Sequence, residues 1–310
     1  MSESKNTGNF FRHWRDYYQL CKPNVVLLMI LTSVIGMLLA SPNMISWDIL
    51  IIGNLGIALC ASAAAAVNHL VDRHIDVKMA RTSNRPVAKG RVEPRNAAIF
   101  ALVLGAFGLW LLIEFINELT AWLTLASLLG YAVVYTLYLK RASPQNIVIG
   151  GIAGAAPPLL GWTAVTNSVD GHALLLVLII FAWTPPHFWA LAVHRKDDYA
   201  KADIPMLPVT HGVRYTKVHI FLYTIILLVV TILPYITGMF NWFYVLGAVV
   251  LGAGFIYWAL VMLLTERPNA AMDTFKYSIV YLMALFIIML IDHYAFPVEN
   301  FNIYLMKGEG

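Results

Sequence analysis

Apolar residues do not alternate along this chain. They come in continuous runs of about 17 to 25 residues, the length a helix needs to cross a bilayer. Nine such runs fall at 24-40, 48-69, 96-116, 119-139, 145-166, 172-193, 218-238, 242-264 and 277-296. Lipid offers the backbone no hydrogen-bond partner, so a continuous run closes its bonds within a helix, whereas a sealed barrel would show period-two alternation. The pattern predicts an all-α, polytopic integral membrane protein with nine transmembrane helices. Polar stretches at 1-23 and 297-310 flank a single membrane domain at 24-296. The run after the polar N-terminal segment is long enough to stay as a span, so the first span is expected to serve as its own insertion signal rather than a cleaved leader.

The connections are unequal. Those at 70-95 and 194-217 are long, the others short, and each long one follows an even-numbered span. Span starts near 24 and 145, and the acidic residues Asp72 and Asp198, repeat at nearly the same interval. This spacing predicts two parallel four-helix halves, 24-139 and 145-264, with a closing helix at 277-296.

Composition agrees: 60% of residues are hydrophobic and 12% charged, against about 25% charged in soluble domains, and mean hydropathy is +0.71. A soluble globular domain is excluded. The net charge of +4 needs no nucleic-acid partner, because the basic residues serve to orient the spans. Under the nine-span reading every Lys and Arg except Lys307 falls on one face. The positive-inside rule then puts the N-terminus and both long loops in the cytoplasm and the C-terminus opposite. Cys21 and Cys60 stand alone, too few for a disulfide framework or a cysteine metal site.

Candidate chemistry begins at the cytoplasmic end of the second span. Asn68, Asp72 and Asp76 lie at i, i+4 and i+8, so a helix continuing past the membrane edge would align them in one column. Two carboxylates and an amide oxygen form a hard, oxygen-rich site of the kind Mg²⁺ uses when it also bridges phosphates. The alternative is a pair of solvated loop carboxylates neutralised by Arg73 or Lys78. Next comes Arg81 to Arg91, where Pro86 stops any helix and Arg81, Arg85 and Lys89 suit a diphosphate or simply satisfy topology. The second acidic loop carries Asp197, Asp198 and Asp203, with Lys201 spaced to pair with Asp197. In the sixth span Pro185 and Pro186 adjoin His187, flanked by Trp183 and Trp189. A double proline there is expected to break the helix along a pocket wall. No Walker loop, zinc pair or activated Ser or Cys is present in the sequence.

On these residues the chain resembles the UbiA-type intramembrane prenyltransferases, whose Asn-x-x-x-Asp-x-x-x-Asp signature stands here as Asn68, Asp72 and Asp76. Lys22-Pro23, Arg81 to Pro86, Thr184 to Ala190 and Asp197 to Pro208 are similar to stretches of the haem-farnesylating members of that family, and the resemblance covers residues 20-296. It departs at Ala202, where the family's second motif commonly has an aspartate.

The resemblance implies transfer of a farnesyl group from farnesyl diphosphate to a vinyl group of haem b, with addition of water. The product would be haem O for a terminal oxidase, made in a bacterial inner membrane. By the same resemblance Asp72, Asp76 and Asp198 would be catalytic, and Mg²⁺ would be held by Asn68, Asp72, Asp76, Asp197 and Asp198. Diphosphate would meet Lys22, Arg73, Arg81, Arg85, Lys89 and Lys201, and haem would meet His187 and Trp189. Implied partners are the two substrates, the lipid bilayer and oxidase-assembly proteins. Two other activities compete: prenylation of a quinone precursor or other aromatic acceptor, and membrane transport. A transporter would place charge at the midplane of both halves, whereas these carboxylates cluster at one face.

Overall fold

A computed structural model describes residues 14–79 and 82–296, all helix and connecting loop, with no strand among the described residues. A short helix α1 (Trp14–Leu20) meets α2 (Pro23–Leu39) at a bend of 51°. There follow α3 (Ile49–Asp76), α4 (Pro94–Phe115) and α5 (Glu118–Leu139), the last running on through one turn at Lys140–Ala142. Next are α6 (Asn146–Ala155), α7 (Pro157–Thr166), α8 (Gly171–His194) and two short helices in the second long loop, α9 (Lys196–Lys201) and α10 (Leu207–Thr210). The chain closes with α11 (Val213–Ile236), α12 (Trp242–Leu264) and α13 (Ala270–Ala295). Eight segments are long and apolar enough to span a membrane on their own, and the bent α1–α2 pair makes a ninth.

Helix ends follow local chemistry. The Asn117 and Asp170 side chains accept hydrogen bonds from the first-turn amides of Thr120 (2.8 Å) and Ala173 (3.0 Å). Pro23, Pro94, Pro157 and Pro208 sit at helix starts, where a missing N–H costs nothing. Asp292 of α13 reaches across to the amides of Asn241 and Tyr244 (2.6 and 2.9 Å), capping α12 from a neighbouring helix.

Four departures from the expected spans affect the site. The second span does not end at 69 but runs unbroken to Asp76, carrying its helical register past the apolar run. The fifth is broken at Ala156, because Pro157 cannot continue the ladder. The sixth, expected to break at Pro185 and Pro186, is one continuous helix through both. The ninth begins at Ala270 rather than 277. Large apolar side chains such as Leu102, Val103, Trp122 and Val250 lie exposed on the outer surface, where lipid rather than water is the solvent. The core lies among α2, α7, α8, α11, α12 and α13, with α13 touching both α8 and α2.

Candidate functional site

The extension of α3 brings the column together. Asn68, Asp72 and Asp76 are all buried, the two carboxylates at 0% and 2% exposure. The Asn68 amide donates to Asp72 Oδ2 at 2.8 Å. Buried carboxylates persist only where charge compensates them, and here each has a cation. Lys140 Nζ donates to Asp72 Oδ2 at 2.5 Å. One guanidinium nitrogen of Arg85 donates to both Asp76 oxygens at 2.8 Å. Lys22 donates to the Asn68 side-chain oxygen. Of the column's side-chain polar atoms, Asp72 Oδ1 is the one buried without a partner among the described residues.

Each cation arrives by a distinct local device. Lys22 precedes Pro23, which disfavours a right-handed helical backbone at that position, and it takes φ 49° at the α1–α2 bend. Such a conformation costs on the order of 1–3 kcal/mol and is characteristic of functional positions. Arg85 is carried on a loop pinned to α3, with Thr82 Oγ1 donating to the Asp76 carbonyl at 3.1 Å. Lys140 follows the π-wound second half of α5, Gly130–Leu139, a rare winding that shifts the register of the residues after it.

Other candidates lie elsewhere. Arg73 donates to the Leu70 carbonyl of its own helix (2.9 Å), and Lys78 pairs with Asp203 across the two long loops (3.4 Å), so neither neutralises the column. Arg81 lies outside the described residues. Lys89, Asp197 and Lys201 are exposed, and Asp198 pairs loosely with Arg195 at 3.9 Å. Ala202 is buried in an apolar cluster with Met79, Ile204 and Met206, so an aspartate there would face apolar side chains. His187 is sandwiched between Trp183 (4.1 Å between ring centroids) and Phe275 (4.6 Å). Two residues on, Trp189 faces the other side of α8, against Tyr223 and His219. The structure does not bring His187 and Trp189 to one site.

Lys140 is the residue that sequence reasoning missed, because it counted only as topological charge. Its one signal was its place at the end of the fourth span, on the face that carries the column.

Beneath the column lies an apolar chamber of ≈ 320 Å³, with Lys22 at its mouth and Met29, Ile57, Tyr131, Trp183 and Leu160 among its walls. A polar, cation-ringed column above an apolar chamber can hold an anionic head with a long apolar tail. Among the described residues no cluster of three or more His, Cys, Asp or Glu could hold a metal. The column offers two carboxylates and an amide oxygen.

The UbiA prenyltransferase family matches residues 29–288. Similar relatives include the protoheme IX farnesyltransferase of Saccharophagus degradans, 70% identical over 284 residues, which are 92% of this chain and 94% of that protein. That of Teredinibacter turnerae is 68% identical over 290 residues, 94% and 93% of the two chains. Among solved structures, a digeranylgeranylglyceryl phosphate synthase superposes with TM-score 0.78 at 18% identity, over 92% of this chain and 99% of that one. A UbiA homolog from Archaeoglobus fulgidus bound to GPP and Mg²⁺ gives 0.60 at 18% identity, over 88% and 99%. These two speak for the fold alone. The family match over most of the chain, together with relatives this similar over more than nine-tenths of both chains, shows that the protein belongs to the UbiA prenyltransferase family.

Proposed function

We propose that this protein transfers the farnesyl group of farnesyl diphosphate to a vinyl group of haem b, with addition of water, to give haem O. The carrying observation is the Asn68–Asp72–Asp76 column, ringed by three cations at the mouth of an apolar chamber. The chain's relatives named protoheme IX farnesyltransferase support the choice of substrates.

Asp72 Oδ1, buried and unpartnered, fits a hard cation, and Mg²⁺ typically binds through one or two carboxylates plus substrate phosphates. Asp72, Asp76 and Asn68 would hold it, and it would supply positive charge against the departing diphosphate. Lys22, Arg85 and Lys140, which now neutralise the column, turn to diphosphate oxygens when that anion enters. The allylic C–O bond breaks with its electron pair on the diphosphate. A C–C bond forms to the terminal vinyl carbon, and water adds to the adjacent carbon with loss of a proton. The apolar chamber keeps water from the allylic cation until the C–C bond has formed, and Tyr131 and Trp183 are the aromatic residues of its lining that could stabilise that charge.

His187 is assigned to haem through its hydrogen bonds. Ser278 Oγ donates to the Phe275 carbonyl (2.6 Å) and so accepts from His187 Nδ1–H (2.6 Å), leaving the Nε2 lone pair for iron. Purified protein in nanodiscs, given haem b, farnesyl diphosphate and Mg²⁺, should yield haem O by mass, and chelator should stop it. His187→Ala should weaken haem binding, read as loss of the Soret shift, by about tenfold while farnesyl diphosphate still binds. Prenylation of an aromatic acid with haem b ignored would favour the other acceptor class. Full turnover in chelator would refute the metal's role.

The protein is integral to a membrane. We place it in the bacterial inner membrane with the column cytoplasmic, from the distribution of basic residues. Reporter fusions after positions 90, 143, 205 and 270 should report cytoplasm, and those after 43, 168 and 310 the opposite side. A cytoplasmic C-terminus would mean the span count is wrong. Oxidase-assembly proteins are the partners we propose for this protein.

A further inference from the structure

The chamber has a neighbour. A second cavity of ≈ 330 Å³ lies between α5, α6 and α7, and it shares Ser127, Ala153 and Leu160 with the chamber. Val134, Ile149 and Ile152, which line the second cavity, are exposed on the outer face of the molecule. An outer, lipid-side groove therefore runs along the chamber, and Ser127, Ala153 and Leu160 stand between the two.

Each part of that wall has a cause. Pro157 has no N–H, so the Ala153 carbonyl lacks its donor four residues on. Ser127 Oγ donates to it instead at 3.3 Å, tying α5 to α6 across the wall. Gly130 and Gly154 have nothing within 4 Å of where a Cβ would stand, so no side chain thickens the wall there. Lower down, Leu160 is 2% exposed and clusters with Met37, Ile57 and Leu112. On α3 the lining runs from Ala65 at the top to Ile57 at the floor, a helical rise of about 12 Å. Leu160 thus stands where the floor of the chamber meets the groove.

We propose that Leu160 sets the length of the prenyl chain this enzyme accepts. Its isobutyl group is the stop against which the last isoprene unit of a fifteen-carbon chain packs. A twenty-carbon chain must seat its extra unit beyond Leu160, where Leu160, Ser127 and Ala153 stand between the chamber and the groove. A ten-carbon chain leaves the floor unfilled and forfeits that burial. The inference rests on the farnesyl-donor function proposed above.

The test gives wild-type and Leu160→Ala protein, in nanodiscs with haem b and Mg²⁺, a choice of geranyl, farnesyl or geranylgeranyl diphosphate, with products identified by mass. Wild type should prefer farnesyl over geranylgeranyl by about 50-fold in kcat/KM, within the range a hydrophobic pocket can discriminate. Leu160→Ala, which opens the floor into the groove, should bring the two within about fivefold. Ala153→Leu, which thickens the wall into the chamber, should move the preference toward geranyl. If Leu160→Ala fails to fold, Leu160→Val applies the same ratio test with a smaller change. Haem farnesylation by wild type, with the ratios unchanged in the folded Leu160 variant and in Ala153→Leu, overturns this inference alone. Failure of wild type to farnesylate haem b overturns the parent function and this inference with it.

Discussion

Replacing Asp72 by asparagine is expected to lower haem O formation by about 10²–10³-fold, the loss typical when a preorganised charge-stabilising group is removed. The substitution keeps the size and one oxygen, so shape is not what is lost. The carboxylate is wholly buried, holds Lys140 at 2.5 Å and Asn68 at 2.8 Å, and leaves Oδ1 without a partner. In the variant that position loses the negative charge a divalent ion needs, and Lys140 loses its counter-ion in a site only partly open to solvent. The second loss destabilises the fold by itself, since breaking a buried pair leaves an uncompensated charge. Asp72→Asn combined with Lys140→Met separates the two effects. It should recover most of the lost thermal stability, read as Tm in detergent, and recover none of the turnover. Calorimetric titration with Mg²⁺ and a non-hydrolysable farnesyl diphosphate analogue should show the ternary complex weakened in both variants. Turnover within tenfold of wild type in Asp72→Asn would remove the column from the chemistry.

That column was legible in the sequence, and the reason is geometric. Asn68, Asp72 and Asp76 share a helix, so their spacing alone fixes their relation once the helix is known to continue. Continuous apolar runs made the spans legible for the same kind of reason, since lipid leaves the backbone no other choice. What brings Lys140 and Arg85 onto the carboxylates is tertiary. One depends on a π-wound stretch of α5, the other on a loop pinned through Thr82, and neither has a periodicity to read. The prolines show the limit of local rules. Pro157 breaks its span at Ala156, while Pro185 and Pro186 leave α8 continuous. All three remove a backbone donor, and what the surrounding helices do about it is written outside the local sequence.

The glycines of α6 and α7 carry the same lesson with opposite signs. Gly161→Ala is expected to destabilise the protein by about 3 kcal/mol or more, the upper end of overpacking costs, and to lower activity with it. A Cβ at Gly161 would collide with the Ser33 carbonyl of α2, and one at Gly36 of α2 with the Pro158 carbonyl of α7. The two helices therefore touch backbone to backbone at two points, a close approach that small residues permit between membrane helices. A colliding side chain could change rotamer, but a backbone carbonyl cannot move without its helix, so one methyl group pushes α2 and α7 apart. Those helices carry Lys22 and Leu160, which both line the chamber, so a shift in their separation deforms the chamber at both places together. Gly154→Ala on α6 is the matched control. Nothing lies within 4 Å of its Cβ position, and alanine favours a helix over glycine by about 0.8–1 kcal/mol, so its Tm should hold or rise. A Gly161→Ala protein with wild-type Tm and turnover would show that α2 and α7 do not meet through their backbones.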